Sequence, residues 1–155
     1  MALNKSLLEK ELIELLENPS TKEEFASGFA DAFEKYVKSG KVLTENVESI
    51  QTSSLKSQIE SVSINDIGAI QFETALSSGL TSSFSTVIMS VGVGTSVLTT
   101  PPVYTTLIGS LSSVDVTSEE VSRKLSTIID TQTKLALFTY TTLIIPPITT
   151  VVPFV

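Results

Sequence analysis

Thr21-Lys22-Glu23-Glu24-Phe25-Ala26-Ser27-Gly28-Phe29-Ala30-Asp31-Ala32-Phe33-Glu34-Lys35-Tyr36-Val37-Lys38-Ser39-Gly40 is the most legible stretch of the 155-residue chain. Its first four residues have the capping-box spacing, in which the Thr21 hydroxyl and the Glu24 carboxylate serve the first exposed N–H groups of a helix. Behind them Phe25, Phe29, Phe33 and Tyr36 fall at i, i+4, i+8 and i+11, one aromatic stripe on one helical face. Ser39-Gly40 then supplies a C-cap. Upstream, Asn4 caps a helix whose apolar positions are Leu8, Leu12, Leu15 and Leu16, and Asn18-Pro19 ends it. A short turn between two such helices lets the leucine stripe bury the aromatic one. The spacing therefore predicts an antiparallel helical hairpin with Leu8, Leu12, Leu15, Phe25, Phe29 and Phe33 in its seam.

Further along, the helical reading continues with weaker signals. Val47, Ile50, Leu55 and Ile59 suggest a third helix from about Thr44, weakened by Thr52-Ser53-Ser54. Over residues 66–90, Asp66 can cap and Ile70, Leu76, Leu80, Phe84, Val87 and Ile88 approximate one face, while Gly68 and Gly79 lower helix propensity. Val91-Gly92-Val93-Gly94 must break that helix. Residues 95–114, Thr/Val-rich around Pro101-Pro102, fit an extended segment or a short helix, and the sequence leaves both open. Ser118 caps a last helix with Glu119 and Glu120 at the positive end of its dipole and Val121, Leu125, Ile128, Gln132 and Leu135 on one face. It is expected to run to about Leu143 and stop before Pro146-Pro147. Two segments, 97–106 and 143–150, share an apolar pair, two prolines and a Thr-Thr. Chance in a Thr-rich chain and two neighbouring helix-to-extended exits account for this equally well.

The fold class expected is mainly α: an N-terminal helical hairpin, longer helices, extended Pro/Thr-rich segments and an extended apolar C-terminal tail. The divisions are 1–43 for the hairpin, 44–145 for a helical body with an uncharged Ser/Thr/Val-rich middle, and 146–155 for the tail, together one structural unit.

Charge is distributed unevenly along this plan. Of the 27 charged side chains, 18 lie within residues 1–60, none lies between Glu73 and Asp115, and none follows Lys134. Hydrophobic residues make up 41% and charged ones 17%, with a mean hydropathy of +0.30. Disorder is thereby disfavoured over most of the length. A net charge of −7 disfavours nucleic acid, since Lys35, Lys38 and Lys41 are set among Asp31, Glu34 and Glu45 and read as a solvated helix end. The N-terminal stretch is charged and amphipathic, without the apolar core of a signal peptide.

The residue types that chemistry most often uses are missing. There is no Cys and no His, which removes the thiol nucleophile, the disulfide, the thiolate zinc site, and the commonest general base and metal ligand. The absence of Cys fits synthesis in a reducing cytosol. Lys56 with Ser53 or Ser54, and Lys134 with Thr131, are helix neighbours that arise by accident in such a sequence. Glu9, Glu11, Glu14, Glu17, Glu23 and Glu24 read as wet helix faces, with Glu14 and Lys10 at i,i+4 spacing. No calcium-loop spacing occurs, and Gly92-Val93-Gly94 lacks the frame of a dinucleotide site. The chain is thus expected not to be an enzyme, with no cofactor, no metal and no small-molecule substrate.

What stands out instead is the apolar end. A tail of Leu143, Ile144, Ile145, Ile148, Val151, Val152, Phe154 and Val155, punctuated by Pro146, Pro147 and Pro153, is expected to bury itself on a neighbour and so form an assembly interface. The segment Phe25 to Gly40, an Ala/aromatic helix ending in Tyr36-Val37-Lys38-Ser39-Gly40, resembles the opening of small virion structural proteins of tailed bacteriophages. The resemblance covers about a quarter of the chain. It implies a particle component such as a neck, tail, baseplate or capsid-associated subunit, made in the host cytoplasm, whose partners are copies of itself and neighbouring structural proteins. Two other functions compete. A holin-like membrane protein would use 80–100 and 135–155 as spans, although the first is Ser/Thr-rich and the second is interrupted by Pro146-Pro147. A soluble adaptor or chaperone would use the tail as a docking peptide.

Overall fold

A computed structural model describes residues 2–18, 20–62, 70–113 and 117–155. Asn4 accepts a hydrogen bond from the Leu7 N–H and opens helix α1, Lys5–Glu17. Thr21 and Glu24 form the full capping box of α2, Lys22–Lys38. The two helices run antiparallel: Leu15 lies against Gly28, Glu11 pairs with Lys35 at 3.0 Å, and the Asn4 N–H reaches the Ser39 hydroxyl. Leu8, Leu12, Phe25, Phe29 and Phe33 are buried, and Leu15 packs partly buried against them. A single buried cluster continues from this seam through the rest of the molecule.

After the hairpin the chain leaves the helical plan. Lys41–Val42 and Glu45–Ser49 form strands β1 and β2, joined by a two-residue turn in which Leu43 takes a φ of 52°. Helix α3, Ser53–Glu60, follows, and α4, Ile70–Phe84, packs on it. A short strand β3, Ile88–Met89, pairs with β2. Strand β4, Gly94–Thr100, leads through short 3-10 turns at Thr105–Leu107 and Ser110–Ser113 toward helix α5, Ser118–Thr133, which packs on α1. Strands β5, Leu137–Thr142, and β6, Thr149–Pro153, form the last hairpin.

The described chain is therefore mixed α/β, with two three-stranded antiparallel sheets in the orders β1-β2-β3 and β4-β5-β6. This corrects the mainly α expectation, and the reasons are local. Val47 fits a helical face by spacing, but it alternates with exposed Asn46 and Glu48 and points inward from a strand. Residues 137–141, Leu-Phe-Thr-Tyr-Thr, alternate with period two, burying Phe138 and Tyr140, so α5 stops at Thr133 instead of continuing to Leu143. Thr117, one residue before Ser118, caps that helix by accepting from the Glu120 N–H. Within the segment 95–114 both readings appear: residues up to Thr100 are extended, and 3-10 turns follow at Thr105–Leu107 and Ser110–Ser113. Ile70 is exposed, and the chain leaves α4 after Phe84, ahead of the Val91–Gly94 break. The proposed Asp66 cap and Gly68 lie outside the described residues.

The C-terminal tail is not a free extension either. The Phe154 N–H donates to the Ala136 carbonyl, and Val155 and Lys41 exchange backbone hydrogen bonds at 2.7 and 3.0 Å. That exchange fastens the residues just past β6 to the start of β1, a backbone tie between the two sheets. Phe154 is 0% exposed and meets Phe84 and Phe138 at ring-centroid distances of 5.4 and 5.6 Å. Gly40 makes room for it, because a Cβ there would overlap the Phe154 ring and Leu3.

Candidate functional site

Register decides which side chains of the β4-β5-β6 sheet meet solvent. Val97, Thr139 and Val151 lie opposite one another, as do Thr95, Thr141 and Thr149. Directly opposed residues share a face, and successive residues alternate. The inner rows hold buried Phe138 and Tyr140 with core-packed Leu98 and Val152. The outer rows are threonine and valine, with Val97 62% and Val151 63% exposed. Val93 accepts from the Leu143 N–H and extends the outer face toward the β5–β6 turn. Leu143, Ile144, Ile145 and Ile148 are all exposed at that turn, which contains a cis Ile145–Pro146 bond, and Ile145 is 97% exposed.

Of the eight residues expected to form an assembly interface, the structure brings Leu143, Ile144, Ile145 and Ile148 together at the hairpin tip and sets Val151 on the outer face beside them. Val152 and Phe154 turn inward and belong to this chain's own core. Val155 is partly exposed and spends its backbone on Lys41. Sequence reasoning missed Val93, Val97 and Thr139, which complete the surface. The alternation of threonine and valine with inward residues over 94–100 and 137–142 was the signal for them. The two related Pro-Pro segments do not play equivalent roles: one leaves the end of β4, and the other forms the hairpin tip.

Neither stretch weighed as a membrane span is a helix. Residues 80–100 divide among the end of α4, β3 and β4, and 135–155 hold the β5–β6 hairpin. No helix among the described residues is long and apolar enough to cross a membrane.

Several titratable side chains hold elements together. Lys134 pairs with Asp130 at 2.7 Å, Lys56 lies 3.8 Å from Glu60, and Lys38 pairs with Glu34 at 2.6 Å. Tyr36 donates to Asp130 at 2.7 Å, fastening α2 to α5, and Tyr104 shares a 2.7 Å hydrogen bond with Thr133. Burial raises the pKa of both phenols above the ordinary tyrosine value, and the Asp130 carboxylate pushes Tyr36 further. Buried Glu73 accepts from the Leu111 N–H at 3.2 Å, tying α4 to the turn before α5. A shallow groove of about 340 Å³ at the α1–α2 turn is lined by Glu11, Glu14, Glu24, Asp31 and Lys35. Among the described residues no cluster of three or more metal-ligating side chains occurs. No protein-family model, curated protein or solved structure matches the chain.

Proposed function

We propose that this chain is a structural subunit that works by association, built into a larger assembly of its own copies and neighbouring structural proteins. The observation that carries the reading is the surface just described: exposed aliphatics gathered at one hairpin tip and one sheet face, on a stretch of chain without charge. A contiguous exposed patch of this kind marks a contact site more often than a neutral surface. The Phe25–Gly40 resemblance supplies the setting, a tailed-phage particle, in which the subunit belongs to the neck, tail, baseplate or capsid surface. Sedimentation velocity on the purified full chain, from about 1 to 100 μM, tests the association. A discrete oligomer that persists on dilution is expected. A monomer throughout that range would overturn self-assembly as the function.

A further inference from the structure

We infer that Glu45 holds a sodium-sized cation between β2 and β5, with the hydroxyl oxygens of Thr44 and Tyr140 as further ligands. The site is independent of the assembly reading above.

Glu45 lies in β2 with 2% of its surface exposed. Burying a carboxylate is costly unless a positive charge accompanies it. All ten Lys and Arg side chains lie among the described residues, and none of them forms an ion pair with Glu45. The protein itself therefore supplies no counter-charge at this point.

What surrounds the carboxylate is oxygen. Tyr140, buried on β5, sets its hydroxyl 3.5 Å from Oε1, and the Thr44 hydroxyl lies 3.3 Å from Oε2. A hydroxyl that donates to a carboxylate closes to about 2.5–2.7 Å. Both contacts fall well outside that range. They match the spacing of neighbouring oxygens around one ion, since ligands at about 2.4 Å stand about 3.4 Å apart at right angles. Magnesium, at about 2.0–2.1 Å, would draw them to about 2.9 Å. Charge narrows the choice further. One carboxylate neutralises one positive charge, so a monovalent ion leaves the buried site neutral, whereas calcium leaves it charged.

The loop between β3 and β4 closes one side of this site. The Ser90 N–H donates to the Asn46 carbonyl at 2.8 Å, and the Asn46 N–H donates to the Ser90 hydroxyl at 3.0 Å. Three residues on, the Val93 carbonyl accepts from the Leu143 N–H. Between these ties Gly92 passes over the carboxylate, where a Cβ would stand 2.6 Å from Oε2 and 2.9 Å from Oε1. Any side chain at 92 would displace the carboxylate from its place against Tyr140.

Thermal melts of the full chain test the site, in sodium chloride against tetramethylammonium chloride at equal ionic strength. The organic cation is too large to enter. Sodium at about ten times its Kd should raise the midpoint by about 4 °C, and the effect should saturate. Glu45→Gln keeps the shape and removes the charge, so the variant should melt alike in both salts. Far-UV circular dichroism checks its fold. If it fails to fold, Tyr140→Phe and Thr44→Val each remove one ligand, and each should weaken the apparent sodium affinity at least threefold. Equal wild-type midpoints in the two salts overturn the site, and so does a sodium preference that these variants retain in full. Stabilisation by millimolar calcium chloride without any by sodium overturns the monovalent assignment.

Discussion

Tyr36 and Tyr104 show at single-residue scale how this chain joins its N-terminal hairpin to its later elements. Each ring fills the core, and each hydroxyl reaches α5, one through Asp130 and the other through Thr133. Their pKa values are raised in the fold, whereas an unfolded tyrosine ionises near pH 10. Below that pH both states hold the proton and the tyrosines contribute no pH dependence. Above it the unfolded chain releases protons that the folded one retains, so stability must fall as pH rises. The slope expected is up to about 1.4 kcal/mol per pH unit for each tyrosine well above pH 10. Urea melts between pH 9 and 11.5 should show this decline, and Tyr104→Phe should remove part of the slope. An unchanged slope in the variant would mean that Tyr104 ionises as readily in the fold as out of it.

At the scale of elements, the chain end just past β6 is anchored in the core although its composition suggested a loose tail. Phe154 seals the space between Phe84, Phe138 and Gly40, so Phe154→Ala should cost about 3–5 kcal/mol in urea denaturation. A loss below about 1 kcal/mol would mean the ring packs elsewhere. Removing residues 146–155 takes away this ring together with β6, and is expected to unfold the protein and not merely to disassemble it. The two helices of the N-terminal hairpin were readable because their signals are local: a capping box, an aromatic period and a glycine stop. The β1–β2 hairpin was not, because its turn uses Leu43-Thr44 where Asn-Gly or Asp-Gly would have announced it. The strand 137–142 was hidden by continuity with α5, since Leu135 extends the helical face just as the two-residue period begins. Of the association surface, the tip aliphatics stood out by composition alone. Val93, Val97 and Thr139 did not, because only strand pairing sets Val97 beside Thr139 and Val93 beside Leu143, far apart in sequence.

For the whole molecule, charge and exposed apolar surface are carried by different elements. The helices carry most of the ionised residues, and the C-terminal sheet carries none. Association through the sheet should therefore resist salt: raising sodium chloride from about 0.05 to 0.5 M should leave the particle mass unchanged or modestly favour the oligomer, because added ions only screen the repulsion between acidic bodies. Marked dissociation in that range would point to ion pairs in the contact and away from the sheet. The backbone exchange between Lys41 and Val155 has a consequence for synthesis. Residues on the order of a hundred positions apart must meet before the two sheets are tied together, and such separations slow folding. During translation the amino-terminal helices emerge early, but the pocket behind Gly40 stays open until residue 154 has left the ribosome. A nascent chain stalled before that point lacks the Phe154 ring and leaves Phe84 and Phe138 without the partner that covers them.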